Sequence, residues 1–417
     1  FRSRPALRLV VIGGGTGLST MLRGLKRHTS ALTAIVSVGD DGGSSGRLRH
    51  EFGIIPPGDI RACLAALSEA GPTLEALFQY RFPIGSELAG HAFGNLFLAA
   101  LADLSGDVRL ALKEAARVLQ VRGVVLPASD AKVQLVATHL DGSKSTGEVQ
   151  LARARKPIVQ IELRPPPPPI HADLVEAIAE ADLVVLGPGS LYTSVLPPLL
   201  VPGMVETLRQ SPAAIAYVAN IMTQEGETEG FSVGDHVCAL ETHTSPGLVD
   251  HVIAHQGPID PTILAEYARK GIEPVTLEPP DQRPFRARAH AAALACVVHG
   301  TVRHEPERLA DVILELARSH RRRPQRCYRD RRKRTATQVR GAAETSLPSG
   351  TPLPAGSSAP DRWPDTRSSG PAGSGRLLTE PPEAGVRTGP LADDSVAVAA
   401  NETPPASGSS PTAAAQE

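Results

Sequence analysis

Short apolar runs closed by glycine alternate along this chain with stretches whose apolar residues recur every three or four positions. Leu7 to Ile12 ends in GGGTG and passes into a helical pattern through Leu18, Met21, Leu22 and Leu25, which predicts a strand, a tight loop and a helix. Leu32 to Val38 ends at GDDGGSSG. A helix is then predicted from Asp59, after PPGD, through Ile60, Leu64 and Leu67, with proline and aspartate suited to its first turn. A helix near His91 to Leu104, a β-rich stretch over 121–149 and a strand at Ile158 to Leu163 follow, so that about 121–163 reads as an antiparallel insert. The first rhythm resumes with a helix at His171 to Ala179, a strand at Leu183 to Leu186 closed by GPGS, and a strand at Ile215 to Ala219 that stops at Asn220. Helices at about 261–270 and 306–319 would cover the sheet. Apolar runs followed by glycine loops are typical of buried parallel strands. The fold class is therefore α/β: a doubly wound, mostly parallel, Rossmann-like sheet with a small β-rich insert, its ligands expected at the carboxyl ends of the strands.

The pattern stops near His320. Residues 321–334, RRRPQRCYRDRRKR, carry nine basic side chains in fourteen positions and head a basic segment read as 321–340. From 341 to 417 Gly, Pro, Ser, Thr and Ala dominate without apolar periodicity, and such a stretch cannot bury enough surface to offset its ordering entropy; it is read as a disordered tail. The folded body is thus 7–320. Five prolines, Pro165 to Pro169, enforce an extended internal connection. A composition 41% apolar suits a globular body, while 43 Lys and Arg against 44 Asp and Glu leave a formal charge of -1 that names no partner. The basic run offers polyanions an attachment point, but no stacking aromatics accompany it, so nucleic acid is disfavoured and would bind through 321–334 if at all. Four scattered cysteines without a C-x-x-C pair favour a reducing compartment, and no apolar run reaches 18 residues, so a cytoplasmic protein without a membrane span is expected.

Candidate chemistry gathers at the predicted strand ends. Gly14, Gly15, Thr16 and Gly17 follow a strand and open a helix whose unpaired amides suit a phosphate; the spacing fits neither G-x-G-x-x-G, with Leu18 in the last glycine position, nor a Walker loop, with no lysine following. Asp40 and Asp41 end the second strand, where paired carboxylates could hold Mg²⁺, a ribose hydroxyl or an amine, and Ser44 adds a hydroxyl. Asp59 either caps its helix or joins that rim, and Arg61 is long enough to reach a phosphate. His91 and Asn95, one turn apart on a predicted helix, either line the pocket or pack in the core. Gly187, Gly189, Ser190 and Leu191 form a second strand-to-loop signal, and Asn220 ends the next strand, with Glu225 and Glu227 just beyond. Two anion-binding loops suggest a nucleoside diphosphate. No nucleophile stands beside a histidine base in the sequence, so acyl-enzyme hydrolysis is poorly supported, and no zinc-site spacing occurs.

Together GGGTGLS, SVGDDGGSSGRLR, PPGDIR, FGNLFLAAL, VLGPGSLYTSVLPPLL and NIMTQEGETEG resemble the YvcK-like family of bacterial gluconeogenesis factors, distantly related to the CofD 2-phospho-lactate transferases, over roughly residues 7–320. The resemblance implies a CofD-like fold and a cytoplasmic protein that binds a UDP-sugar such as UDP-N-acetylglucosamine and supports cell shape and wall synthesis on gluconeogenic carbon. By motif match it implies that Gly14 to Gly17, Asp40 or Asp41, Asn95, Gly189 to Leu191 and Asn220 surround the ligand, with Asp40 and Asp41 as candidate Mg²⁺ ligands. It assigns no catalytic residue. A transferase moving a phospho-acyl or sugar-phosphate group from a nucleotide-linked donor is the alternative, and a homo-oligomer is left open.

Overall fold

The computed structural model describes residues 6–321, which lie in one compact unit. The basic segment and tail fall outside the described residues, apart from Arg321. The first half runs β1 (Leu9–Gly13), α1 (Gly15–Leu25), β2 (Leu32–Val36), α2 (Gly43–Phe52), α3 (Gly58–Leu67), α4 (Pro72–Gln79), α5 (Phe93–Ser105), α6 (Val108–Val118) and β3 (Val124–Pro127). An insert follows, made of β4 (Gln134–His139), β5 (Lys144–Thr146), α7 (Glu148–Ala154) and β6 (Ile158–Arg164). The second half runs α8 (Ala172–Glu180), β7 (Leu183–Leu186), a π-helical turn (Leu191–Val195) leading into α9 (Leu196–Leu199), α10 (Met204–Gln210), β8 (Ala214–Val218), α11 (Val233–His243), β9 (His251–His255), α12 (Pro261–Ala268), β10 (Arg288–Ala292), β11 (Ala295–Val298), β12 (Thr301–His304) and α13 (Pro306–Arg321).

Seven strands form one parallel sheet in the order β10-β9-β8-β7-β1-β2-β3. Val11 and Ile12 of β1, Val184 and Val185 of β7 and Ile215 and Ala216 of β8 are fully buried, as strands covered on both faces must be. Helix α1 packs on α3 and α13, and its Leu18, Met21, Leu22 and Leu25 are the buried stripe that the sequence periodicity marks. The chain builds outward from β1 to β2 and β3, then returns to the other side of β1 for β7, β8, β9 and β10. The order reverses between β1 and β7, and this switch point is where a parallel sheet opens a crevice beyond its strand ends.

The antiparallel insert is present but smaller than expected. Its sheet is β5-β4-β6, beginning at Gln134, whereas Val124–Pro127 pairs in parallel with β2 as the outer strand of the main sheet. The burial pattern of that short strand, with Val124 exposed and Val125 buried, is that of an edge strand and does not distinguish the two sheets in sequence. Pro165 to Pro169 carry the chain from β6 back to α8. Among the described residues no helix is long and apolar enough to cross a membrane.

Candidate functional site

The loops after β1 and β7 press together at the switch point, and glycine is what lets them. A Cβ on Gly14 would collide with the Asp59 carboxylate and sit 3.2 Å from Ser37 Cβ and 3.3 Å from Ser194 Cβ. A Cβ on Gly17 would lie 2.8 Å from the Pro188 carbonyl oxygen. Gly15 and Gly187 take φ of +68° and +76°, a region other residues enter only with strain. Thr16 is exposed at the mouth, and Ser37 Oγ is buried beside Gly14 without a hydrogen-bond partner among the described residues. The two glycine loops and the start of α1 therefore lie together at the switch point, an arrangement suited to anionic oxygens.

Asp40 and Asp41 have different partners. Asp40 Oδ1 accepts from the Gly42 amide at 2.9 Å, and a Cβ on Gly58 would lie 2.8 Å from its Oδ2. Asp41 Oδ1 instead accepts from the Val149 amide at 3.2 Å, and its carboxylate abuts Gly147, so Asp41 anchors α7 of the insert. Asp59 is half-buried and accepts from the Gly15 amide at the start of α1. Burial, then the nearby Asp40 charge, push its pKa up to about 6, against the pull of the Gly15 amide and Arg61. Among the described residues no group of three or more His, Cys, Asp or Glu side chains is arranged to hold a metal ion. Asp40 interacts with Asp59, whereas the Asp41 carboxylate is engaged by the Val149 amide.

Ser190 and Leu191 follow the carboxyl end of β7 and Asn220 that of β8, with Leu191 buried and Asn220 half-buried. Ser190 Oγ donates to Glu227 Oε2 and accepts from the Thr193 amide at 3.3 Å. The second Glu227 oxygen accepts from Gln224 Nε2 at 2.7 Å. Burial pushes Glu227 up to about 7, with the Ser190 hydroxyl and the Tyr192 amide drawing it back. Glu225, weighed equally in the sequence, instead forms an exposed ion pair with Arg155. Glu148, at the first turn of α7, went unnoticed: its Oε1 lies 3.2 Å from Thr193 Oγ1, and burial with the charges of Asp40, Asp59 and Glu227 pushes it up to about 8. Nothing local in GEVQ marks it, because its neighbours stand tens of residues away in the chain.

Ser44, Arg61, His91 and Asn95 meet in one buried network that differs from expectation. Arg61 does not reach for the crevice; its Nε donates to Asn95 Oδ1 at 2.9 Å and its Nη1 to Gln79 Oε1. Asn95 Nδ2 donates to Ser44 Oγ at 3.0 Å, and Ser44 Oγ lies 3.1 Å from His91 Nδ1. His91 precedes α5 rather than lying on it, its strand-like neighbour Ala92 bridging to Arg81. A hydroxyl does stand beside a histidine, correcting the expectation that none would. Residues 42–46, GGSSG, have the G-x-S-x-G spacing, but Ser44 stands inside α2 and not on a tight turn from a strand, so no nucleophile elbow is formed.

Residues 9–296 match the family model described as 2-phospho-L-lactate transferase CofD. The chain is 45% identical over 307 residues to the gluconeogenesis factor of Halalkalibacterium halodurans, covering 74% of this chain and 95% of that protein. To the gluconeogenesis factor of Bacillus subtilis it is 41% identical over 309 residues, covering 74% and 98%. A crystal structure of a Bacillus halodurans protein superposes with a TM-score of 0.72 at 44% identity, covering 74% of this chain and 99% of that one.

Proposed function

The chain belongs to the gluconeogenesis factor family, linked to the CofD transferases by its domain, and on that premise we propose that it binds a nucleotide diphosphate sugar of the UDP-N-acetylglucosamine class across its two glycine loops. One observation carries this reading: the loops after β1 and β7 stand side by side at the switch point of the sheet, close enough that a Cβ on Gly17 would meet Pro188. One loop can take each phosphate of a diphosphate, with the positive end of the α1 dipole beneath the charge. Asp40 and Asp59 would hold magnesium, which when bound offsets the diphosphate charge. In the cytoplasm such a protein acts as a sensor or factor directing carbon into cell-wall precursors, and so supports cell shape on gluconeogenic carbon.

Glu148, Glu227 and Asp59, with pKa values of about 8, 7 and 6, favour a second reading, a transferase that moves a phospho-acyl or sugar-phosphate group. Carboxyls poised near neutral pH can give or take a proton at a reacting oxygen. Calorimetry with UDP-N-acetylglucosamine tests the first reading: saturable binding that weakens in Gly17→Ala is expected, and absence of binding by the intact protein overturns it. Product formation from a nucleotide-linked donor, lost in Glu148→Gln with binding retained, would move the assignment to the transferase.

A further inference from the structure

We infer that the cavity beyond the carboxyl end of β9 is a second ligand site, separate from the glycine-loop crevice, that takes a small monocarboxylic acid with an apolar body against Arg283. It does not depend on the nucleotide-sugar reading. The cavity holds about 520 Å³, room for such a molecule, and no residue of the loops after β1 or β7 lines it. Gln256 and Gly257 close it at the end of β9, and the stretch 274–280 forms a long wall. That wall is itself held against the residues that follow Asn220: the Val275 amide donates to the Ile221 carbonyl at 2.9 Å and the Thr223 amide to the Glu273 carbonyl at 2.7 Å.

The space has a cause in the sequence. Ala289 and Ala291 of β10 both line it; they stand two apart on a strand and so share one face, with side chains that stop at Cβ. A larger residue at either position would fill the floor. Ile259, Leu264, Pro274, Pro279 and Pro280 supply apolar surface, and a proline brings no amide donor, so most of the lining suits hydrocarbon.

Charge selects the other end of the ligand. Three titratable side chains line the cavity: His255, Glu278 and Arg283. Glu278 is already engaged, its Oε1 accepting from the Gly234 amide at 2.8 Å in the first turn of α11, where the positive end of the helix meets its charge. His255 Nδ1 accepts from the Leu294 amide at 3.0 Å, and burial holds the ring below its ordinary pKa, so it is neutral at pH 7. Arg283 keeps an unmet charge. Its Nε donates to the Glu278 carbonyl oxygen at 2.9 Å, which fixes the guanidinium, and among the described residues no carboxylate stands within ion-pair distance of it. The remaining guanidinium N–H groups form a planar fork that matches a carboxylate. One unmet positive charge balances one negative charge, which favours a carboxylate over a phosphate dianion.

The test uses the full chain with phenylacetate, 3-phenylpropionate and indole-3-acetate, each beside the neutral alcohol of the same skeleton. Calorimetry should show saturable binding of at least one acid, about tenfold or more tighter than its alcohol, the usual worth of a hydrogen bond to a charged group. Hydrogen exchange in that complex should slow over 256–264 and 274–283 and stay unchanged over 13–17 and 187–191, a readout that needs no variant. Arg283→Met should bring the acid down to the affinity of its alcohol, Arg283→Lys should restore part of the difference, and Ala291→Leu should weaken acid and alcohol alike. No acid binding, acid and alcohol bound equally, protection that falls elsewhere, or an affinity unmoved by Arg283→Met overturns the inference. Phenyl phosphate bound more tightly than phenylacetate overturns the assignment to a monocarboxylate.

Discussion

The hydroxyl of Thr193 lies 3.2 Å from Glu148 Oε1 and 2.6 Å from Ser190 Oγ, so one side chain with one hydrogen links α7 of the insert to the loop after β7. Ser190 gives its own hydrogen to Glu227. Thr193 Oγ1 can donate to Glu148 or to Ser190 but not to both at once; burial and the charges of Asp40, Asp59 and Glu227 push Glu148 up to about 8, against the pull of the Thr193 hydroxyl.

The unliganded protein should therefore lose stability as pH rises. A carboxyl with a higher pKa folded than unfolded binds its proton more tightly in the folded state, so its stabilising effect is present below the unfolded value and lost as pH climbs through the folded one. For Glu148 the window runs from 4.5 to about 8, for Glu227 from 4.5 to about 7 and for Asp59 from 3.8 to about 6. Glu148→Gln should flatten the upper part of this slope and stabilise the protein by about 1–3 kcal/mol above pH 8, read from chemical denaturation at several pH values.

Gly17→Ala should act at the loop contact. The added methyl meets the Pro188 carbonyl at 2.8 Å, and backbone cannot swing aside as a side chain does. A loss of about 1–3 kcal/mol of stability is expected, with the affinity for UDP-N-acetylglucosamine reduced at least tenfold by spreading the two loops. Calorimetry and thermal melts on the same sample separate the two effects.

Asp41→Ala should loosen the insert and spare the sheet. It removes the carboxylate that accepts from the Val149 amide at the start of α7, a cap contact worth about 1 kcal/mol. Hydrogen exchange should quicken over 134–164 while β1, β7 and β8 keep their protection; uniform protection across the insert would contradict this.

Arg61→Met should cost more than a surface change. It strips the donor from Asn95 Oδ1 and Gln79 Oε1, leaving acceptors unpaired at a buried position, for a loss of about 1–3 kcal/mol in denaturant melts.

The legible part of this molecule was the part written in adjacent residues. Leu9 to Gly13 and Leu183 to Leu186 announce themselves as strands because both faces are buried and nearly every position is apolar, and GGGTG and GPGS announce their turns because only glycine fits there. Asp59 and Arg61 are legible as residues but not in their partners: Asp59 accepts from the Gly15 amide, and Arg61 donates to Asn95. Glu148 and His91 carried no local sign of their partners.

The sequence by itself determined the α/β class, the strands β1, β2, β7 and β8 and the two glycine loops, because periodicity and backbone permissiveness are properties of near neighbours. Tertiary structure alone decided that β1 and β7 are adjacent, that Asp41 serves the insert while Asp40 interacts with Asp59, that Glu148 joins the crevice and that Ser44 faces His91. Hydrogen bonds act over about 3 Å, and burial is set by whatever packs overhead. The pKa of a carboxyl or the partner of a hydroxyl is therefore fixed only when segments distant in the chain have been brought to that range.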